Sequence, residues 1–162
     1  MRALLLSVAA IAMLLCAVVE LYRRIEDHVA GGYRVQAAGD LLVVYLDHSG
    51  EWPKDWGDLR RFVETDKSSL RYPPEVKELQ RHVRIDFDFA VDAVELQRDR
   101  SDDEPPHVVV SSKYGRMHGA TRNPNEFIFT YLQCDAHTRR ELVGPLTTSK
   151  QSPHNARPAQ SP

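Results

Sequence analysis

The first pattern along the chain is an uninterrupted apolar run from Ala3 to Val19, which contains no charged residue. Arg2 precedes this run, and Tyr22 and the pair Arg23-Arg24 follow it. A helix rises about 1.5 Å per residue, so the run covers about 25 Å, at the short end for a hydrocarbon core about 30 Å thick. Aromatic and basic residues are typical of the membrane interface. We therefore predict a transmembrane anchor over residues 1–24, with residues 3–22 in contact with the lipid bilayer.

An apolar run of this kind has two alternative interpretations. A cleaved secretory signal would carry small residues before the cut, but the first such position is Ala30, which has His28 two places before it. A soluble buried helix would normally show a polar stripe across so long a run. An uncleaved signal anchor is the favoured interpretation. Basic residues flank both ends, and the short basic start favours a head on the non-cytoplasmic side of the membrane.

The spacing of apolar residues after the run predicts an amphipathic helix. Gly31-Gly32 is predicted to form a soft joint, because each glycine disfavours helix by about 1 kcal/mol. Helical spacing then resumes at Tyr33 and ends at Ser49-Gly50, where the glycine can adopt a left-handed cap. The predicted buried face consists of Val35, Ala38, Leu42 and Leu46, and the opposite face of Gln36, Asp40 and Asp47.

Two shorter helices are predicted next. Asp55 can cap the first of them. The second is predicted to start at Tyr72-Pro73-Pro74, since proline is favoured in the first turn. Their predicted inward-facing residues are Trp56, Leu59, Phe62 and Val63 in the first helix and Val76 and Leu79 in the second.

The apolar period then changes to two, which indicates strands. The alternation from Val83 to Phe89 predicts a first strand, with Asp86 and Asp88 on its solvent face. A second strand is predicted over His107–Ser112 and a third over Glu126–Leu132, joined by a long, turn-rich connection. Helices followed by strands predict an α+β fold: an N-terminal transmembrane helix is extended by an amphipathic helix that packs on a small antiparallel β-sheet.

Composition predicts one small domain behind the anchor. The chain has 162 residues, with 21 basic and 23 acidic side chains and a net charge of −2. Without a basic excess, nucleic acid is not an expected partner. Residues 25–146 are predicted to form a single domain, and residues 147–162, rich in Ser, Pro and Gln, a disordered tail. Cys16 lies in the apolar run, so no disulfide with Cys134 is expected.

Three groups of side chains could in principle support chemistry: Cys134 with His137; Asp86, Asp88 and Asp92 with residues 102–104; and His107, Ser111, Ser112 and His118. The first group is too small for zinc, which needs three or four ligands. The second does not follow the spacing of an EF-hand calcium loop. The third contains no hydrolase motif. We therefore expect no catalytic site, no metal site and no cofactor, and we do not expect an enzyme.

Trp52 and Trp56 are the most distinctive side chains of the predicted domain. They lie four residues apart around Pro53 and could flank a groove that contacts a partner or a glycan. The favoured alternative is that they close the corner between the long helix and the domain by burying apolar area. Residues 116–119, in the long connection, are a second candidate for a surface contact.

The segment from Ala3 to Phe62 resembles the type IV pilins and pseudopilins. It has a helix that is apolar in its first half and amphipathic in its second. A tyrosine, a glycine and an aromatic-proline pair follow at Tyr45, Gly50 and Trp52-Pro53, and then a short helix ends in leucine. The glycine-aromatic processing signal and the early glutamate of the family are absent. The resemblance implies a pilin-like head on a helix that packs into a fibre core.

The expected function is that of a single-pass, membrane-anchored structural or interaction protein of a bacterial envelope. Self-assembly or a protein partner would fit this role. The alternative is a membrane-tethered binding module that recognises a ligand or an envelope partner through Trp52 and Trp56.

Overall fold

The computed structural model describes residues 2–66, 70–71, 73–91, 107–115 and 122–147, and of residues 2–10 the backbone alone. The described part is α+β, as predicted, with five helices and a two-stranded antiparallel sheet. Its elements are α1 (Arg2–Ser49), α2 (Trp56–Thr65), α3 (Val76–His82), β1 (Val83–Ile85), β2 (Val109–Ser111), α4 (Pro124–Gln133) and α5 (Ala136–Val143).

The first helix is continuous through Gly31-Gly32, so the predicted joint is wrong. Both glycines are buried where α1 enters the folded part of the chain, the described residues from 31 to 147, which we call the head. Tertiary packing contributes more to helix stability than the intrinsic propensity of two residues. The predicted end of the helix is confirmed: α1 stops at Ser49, and Gly50 follows with φ +72° and donates its N–H to the Leu46 carbonyl at 2.9 Å.

Over the part of the chain that the structure describes, no helix combines the length and the apolar character needed to cross a membrane. The first part of the predicted anchor, residues 3–10, is described by its backbone only.

The C-terminal part of α1 forms the centre of the head. The predicted buried face is confirmed, since all four of its residues are buried. Leu41, Val43 and Val44 are buried as well, because α2, α3, α4, α5 and both strands all pack on α1. Consequently Gln36 and Asp40, predicted to be on the polar face, are only partly exposed.

The two short helices after α1 are present. Asp55 is the N-cap of α2, as predicted, and accepts hydrogen bonds from the N–H groups of Gly57 and Asp58 at 2.6 and 3.0 Å. The predicted inward-facing residues of both helices are buried, except that Trp56 is half-buried. The start of α3 differs from the prediction, because the helix begins at Val76 and not at Tyr72-Pro73-Pro74. Pro73 is followed by Pro74, and the residue before a proline is disfavoured in helical conformation.

The sheet is smaller than predicted. Strands β1 and β2 pair with Val83 opposite Ser111 and Ile85 opposite Val109. The first strand stops at Ile85, and the chain then turns, so that Phe87 leaves the sheet.

The predicted third strand is wrong, because Glu126–Leu132 lies within α4. Asn123 caps this helix, and Pro124 occupies its first turn, which is a favoured helix start. The outer edge of β2 is instead covered by the Asn125 side chain. Its Oδ1 accepts from the Val109 N–H at 2.8 Å, and its Nδ2 donates to the Val109 carbonyl at 2.9 Å. One buried amide thus makes the backbone contacts that a third strand would have made.

The predicted domain ends close to the end of the described residues. Thr147 forms an isolated antiparallel bridge with Leu70. The remainder of the predicted tail, residues 148–162, lies outside the described residues.

Candidate functional surfaces on the first helix and at the tryptophan corner

The N-terminal part of α1 extends away from the head. Burial by the head begins at Gly31 and continues to Leu46. Before it lie large apolar side chains that are each at least 51% exposed: Ile11, Met13, Leu14, Leu15, Val18, Val19, Leu21, Tyr22, Ile25 and Val29. Tyr33, just after Gly31, is also exposed. Contiguous exposed apolar surface is typical of sites that contact a protein, a membrane or a ligand.

This exposed part of α1 consists of two stretches. Between Ile11 and Val19 the helix is apolar on every side. From Tyr22 to Tyr33 the apolar residues keep to one face, where Ile25 and Val29 lie between the two tyrosines and line a shallow recess. We call residues 22–33 the stalk, because they connect the fully apolar stretch to the head.

The turn after β2 contacts the stalk. Lys113 Nζ lies 2.7 Å from the Asp27 carboxylate, and the Tyr114 ring meets His28 edge-on at a centroid distance of 5.2 Å. The hydrogen bond from Lys113 lowers the pKa of Asp27, and the same bond raises the pKa of Lys113. Gly115, at φ +67°, closes the turn and exchanges two backbone hydrogen bonds with Ser111. This turn therefore brings the head into contact with one side of the stalk.

The two tryptophans do not stack on each other. Trp52 packs edge-on against Phe89 at 5.3 Å and donates its indole N–H to the Asp86 carbonyl at 3.1 Å. Trp56 packs in the same way against Phe87 at 5.7 Å. Both indoles contact the core yet are only half-buried. Their packing role at the corner is evident, and contact with a partner stays a prediction.

The groups considered for chemistry are dispersed. Cys134 is the C-cap of α4 and the exposed His137 belongs to α5, so they do not share a helical turn. Asp86 and Asp88 are exposed beyond β1. Within the described residues, no three His, Cys, Asp or Glu side chains are grouped so that they could hold a metal ion.

The third of these groups is also separated. Ser111 is buried, and its hydroxyl accepts hydrogen bonds from the N–H groups of Lys113 and Tyr114, whereas His107 is exposed. Other residues considered from the sequence lie outside the described residues: Asp92, residues 102–104 and residues 116–119, which include His118.

Two polar contacts between α1 and the C-terminal part of the head were not predicted. The Asp40 carboxylate pairs with Arg122, whose guanidinium lies 3.4 Å from the Phe127 ring centroid. The Tyr131 hydroxyl donates to Asp47 at 3.0 Å. Burial raises the pKa of Asp40 and outweighs the opposing effect of Arg122, and burial likewise raises the pKa of Tyr131. The partners lie more than 80 residues apart in the chain, so no local pattern indicates them.

No family model, no curated protein and no solved structure matches this chain. Its function is therefore inferred from its own residues and their contacts.

Proposed function

We propose that the protein is a single-pass membrane protein in which α1 inserts its apolar end into the lipid bilayer and carries the head at the membrane surface as a structural or interaction module. The observation that carries this proposal is the exposure of every large apolar side chain between Ile11 and Tyr22, on the same unbroken helix that forms the centre of the head. A helix that is apolar on all sides needs an apolar environment, and the described residues of the head provide none for this one.

The arrangement around Tyr22 supports a bilayer as that environment. Tyr22 and Arg23-Arg24 directly follow the apolar run, at the depth where aromatic and basic side chains favour the membrane interface. Gly31, where burial by the head begins, lies twelve residues beyond Val19, which is about 18 Å along the helix. The head would therefore lie close to the headgroups, and it would be held rigidly because no break separates the two parts of α1.

A charge in the apolar run tests the anchor. Leu14 is 66% exposed, so its replacement leaves the head intact. Leu14→Arg is expected to disfavour insertion by about 3 kcal/mol, the cost of an arginine at the centre of a membrane helix. The measurement is the fraction of full-length chain that stays in the membrane pellet after alkaline carbonate extraction. Leu14→Ile is the matched control and should behave like the wild type.

The wild-type chain should remain in the pellet, and Leu14→Arg should move it towards the supernatant with unchanged tryptophan emission. A wild-type chain that is fully extracted without detergent would refute the anchor. The proposal puts the head on the non-cytoplasmic side of the membrane. A reporter that is active only outside the cytoplasm, fused after Leu146, tests this orientation and should be active. Amino-terminal sequencing of the same product distinguishes an anchor from a cleaved signal.

A second candidate function is a membrane-tethered binding module. It is favoured by one observation: Trp52 and Trp56 keep part of their rings exposed beside Phe87 and Phe89. Partly exposed, rigid aromatic rings are typical of binding surfaces. The single variants Trp52→Phe and Trp56→Phe assign the emission of each indole, and acrylamide quenching then measures its accessibility. Complete protection of both indoles would contradict a binding groove.

The pilin-like character of the head is part of the proposal. A long helix that is apolar at one end and packs against a small antiparallel sheet at the other supports it. We therefore propose the architecture of that family for this chain.

A further inference from the structure

The boundary between apolar and polar residues does not lie at the same level all around α1. On one side the polar residues begin at Glu20, which forms a salt bridge with Arg24 at 3.1 Å. On the other side the helix is still apolar at Ile25 and Val29. With 3.6 residues per turn, Glu20 and Arg24 lie about 160° around the helix from Tyr22, whereas Ile25 and Val29 lie within about 60° of it. We call these two sides the polar side and the apolar side of α1.

This difference in level corresponds to a tilt. A helix that stands upright in a bilayer leaves the hydrocarbon at one level on every side. Here the apolar side stays apolar up to Ile25, five residues beyond Glu20, which is about 7.5 Å along the axis. Across a helix about 11 Å wide, a difference of about 7.5 Å corresponds to a tilt of about 35°. Transmembrane helices are tilted by about 0–40°, so this value is within their range.

The residue types on the apolar side of the stalk fit the membrane interface. Tyr22 and Tyr33, at its two ends, are 68% and 60% exposed, and they line the shallow recess together with Ile25 and Val29. Tyrosine is enriched at this interface, because its ring is apolar and its hydroxyl is polar. Glu26 also lines the recess, one residue beyond Ile25, at the level of the headgroups. In an upright helix this side would stand in water, where exposed apolar surface is unfavourable.

The contact between the head and the stalk leaves the apolar side open. The turn after β2 contacts the stalk at Asp27 through Lys113 and at His28 through Tyr114. Asp27 and His28 lie about 140° and 120° around the helix from Tyr22, and therefore away from the apolar side. A tilt towards the apolar side raises this contact away from the lipid, so that the ion pair of Lys113 with Asp27 stays in water.

We propose that the lipid interface is the partner of the apolar side of the stalk. The helix enters the bilayer at a tilt of about 35°, with Ile25 at the hydrocarbon and Val29 among the headgroups. This inference rests on the proposed membrane anchor and adds to it the direction of the tilt. The direction also orients the head, because the turn after β2 then faces away from the membrane.

Depth-dependent fluorescence quenching of the full-length chain in phosphatidylcholine vesicles tests this proposal. The background is Cys16→Ser with Cys134→Ser, and a single introduced cysteine carries an environment-sensitive fluorophore. Ile25→Cys and Val29→Cys place the label on the apolar side, and Arg24→Cys is the matched control on the polar side. Nitroxide groups on the acyl chains of the lipid quench each label according to its depth. Unchanged tryptophan emission shows that the head of each variant is folded.

The two geometries predict different orders of depth. An upright helix places position 25 about 1.5 Å and position 29 about 7.5 Å further from the bilayer centre than position 24. At a tilt of about 35° position 25 is about 3 Å deeper than position 24, and position 29 reaches about the same depth as position 24. The arm of the label extends these differences. Quenching of the Ile25→Cys label should therefore be several-fold stronger than that of the Arg24→Cys label, and quenching of the Val29→Cys label at least as strong as the control.

Quenching that decreases steadily from position 24 through 25 to 29 would show an upright helix and overturn the proposal. Labels at positions 25 and 29 that neither the lipid nitroxides nor aqueous iodide quench would show that a protein covers the apolar side, and would overturn it as well. A label at Val18→Cys, inside the apolar run, tests the anchor separately. Strong quenching at position 18 with the upright order removes the tilt alone, whereas no quenching at position 18 removes the anchor and the tilt together.

Discussion

Asn125 provides a sharp test of how the head is held together. Its buried side chain, 5% exposed, satisfies both the N–H and the carbonyl of Val109 at the edge of β2. Because Val109 is itself fully buried, neither backbone group can bond to water once the amide is removed. Each unsatisfied buried group costs about 1–3 kcal/mol, so Asn125→Leu is expected to lower the free energy of unfolding by about 2–6 kcal/mol. A typical domain has only about 5–15 kcal/mol of stability.

Asn125→Asp distinguishes the two hydrogen bonds from the packing of the side chain. At neutral pH the introduced carboxylate still accepts from the Val109 N–H, but it opposes the Val109 carbonyl with a second acceptor. When protonated, the carboxyl group can donate to that carbonyl, so the folded state binds the proton more tightly than the unfolded chain and its pKa is raised. Stability relative to the wild type should therefore increase as pH falls towards about 4, the pKa of an unfolded aspartate.

The assay is urea unfolding of the full-length chain in mild detergent, followed by tryptophan emission at several pH values. Asn125→Leu has no group that titrates, so its loss of stability relative to the wild type should be independent of pH. A loss below about 1 kcal/mol for Asn125→Leu would refute the double hydrogen bond, given the cost of unsatisfied groups. Equal losses for Asn125→Asp and Asn125→Leu at every pH would refute the role of the Nδ2 donor.

Three further variants test other contacts of the head in the same unfolding assay. In Gly39→Ala the added Cβ would lie 2.6 Å from the Cβ of Pro124, so α1 and α4 must separate. The free energy of unfolding should fall by about 1–3 kcal/mol. A variant as stable as the wild type would show that the two helices are not in such close contact. Asp55→Ala removes the N-cap of α2 and should lower the free energy of unfolding by about 0.5–2 kcal/mol. Asp55→Ser should retain most of this stability, because serine can also cap a helix. Equal losses in the two variants would argue against capping. Since burial raises the pKa of Asp40, the folded protein binds more protons than the unfolded chain above the ordinary value of 3.8. Wild-type stability should therefore fall, relative to Asp40→Asn, as pH rises through this window, and the opposite slope would contradict the sign of the shift.

The parts of the fold that depend on neighbouring residues could be predicted from the sequence. The end of α1 at Ser49-Gly50 was predicted because a glycine is suited to a left-handed cap, and the start of α2 because Asp55 has a side chain that can accept from the first N–H groups. The apolar face from Val35 to Leu46 was predicted because the period of the α-helix alone determines which side chains lie on the same face. Each of these features is determined by residues that lie close to one another in the sequence.

The same local patterns failed where a distant partner decides the conformation. The apolar residues from Phe127 to Leu132 fit a strand or a helix, and the helix forms because its buried face packs against α1. Gly31-Gly32 remains helical because the head packs around it. The tryptophan corner was correctly recognised as a place where the chain turns, but its phenylalanine partners came from residues that were predicted to continue a strand.

By itself, the sequence determined the α+β class, the helix caps, the buried face of the amphipathic part of α1 and the position of the apolar run. These features follow from backbone preferences and from periods that act over a few residues. Only the tertiary structure decided that α1 is one continuous helix at the centre of the head, that a buried amide closes the edge of the sheet, and that the head contacts one side of the stalk. These features require groups that lie far apart in the chain to meet, as Asp27 and Lys113 do across 86 residues, and such contacts arise from the packing of the whole chain.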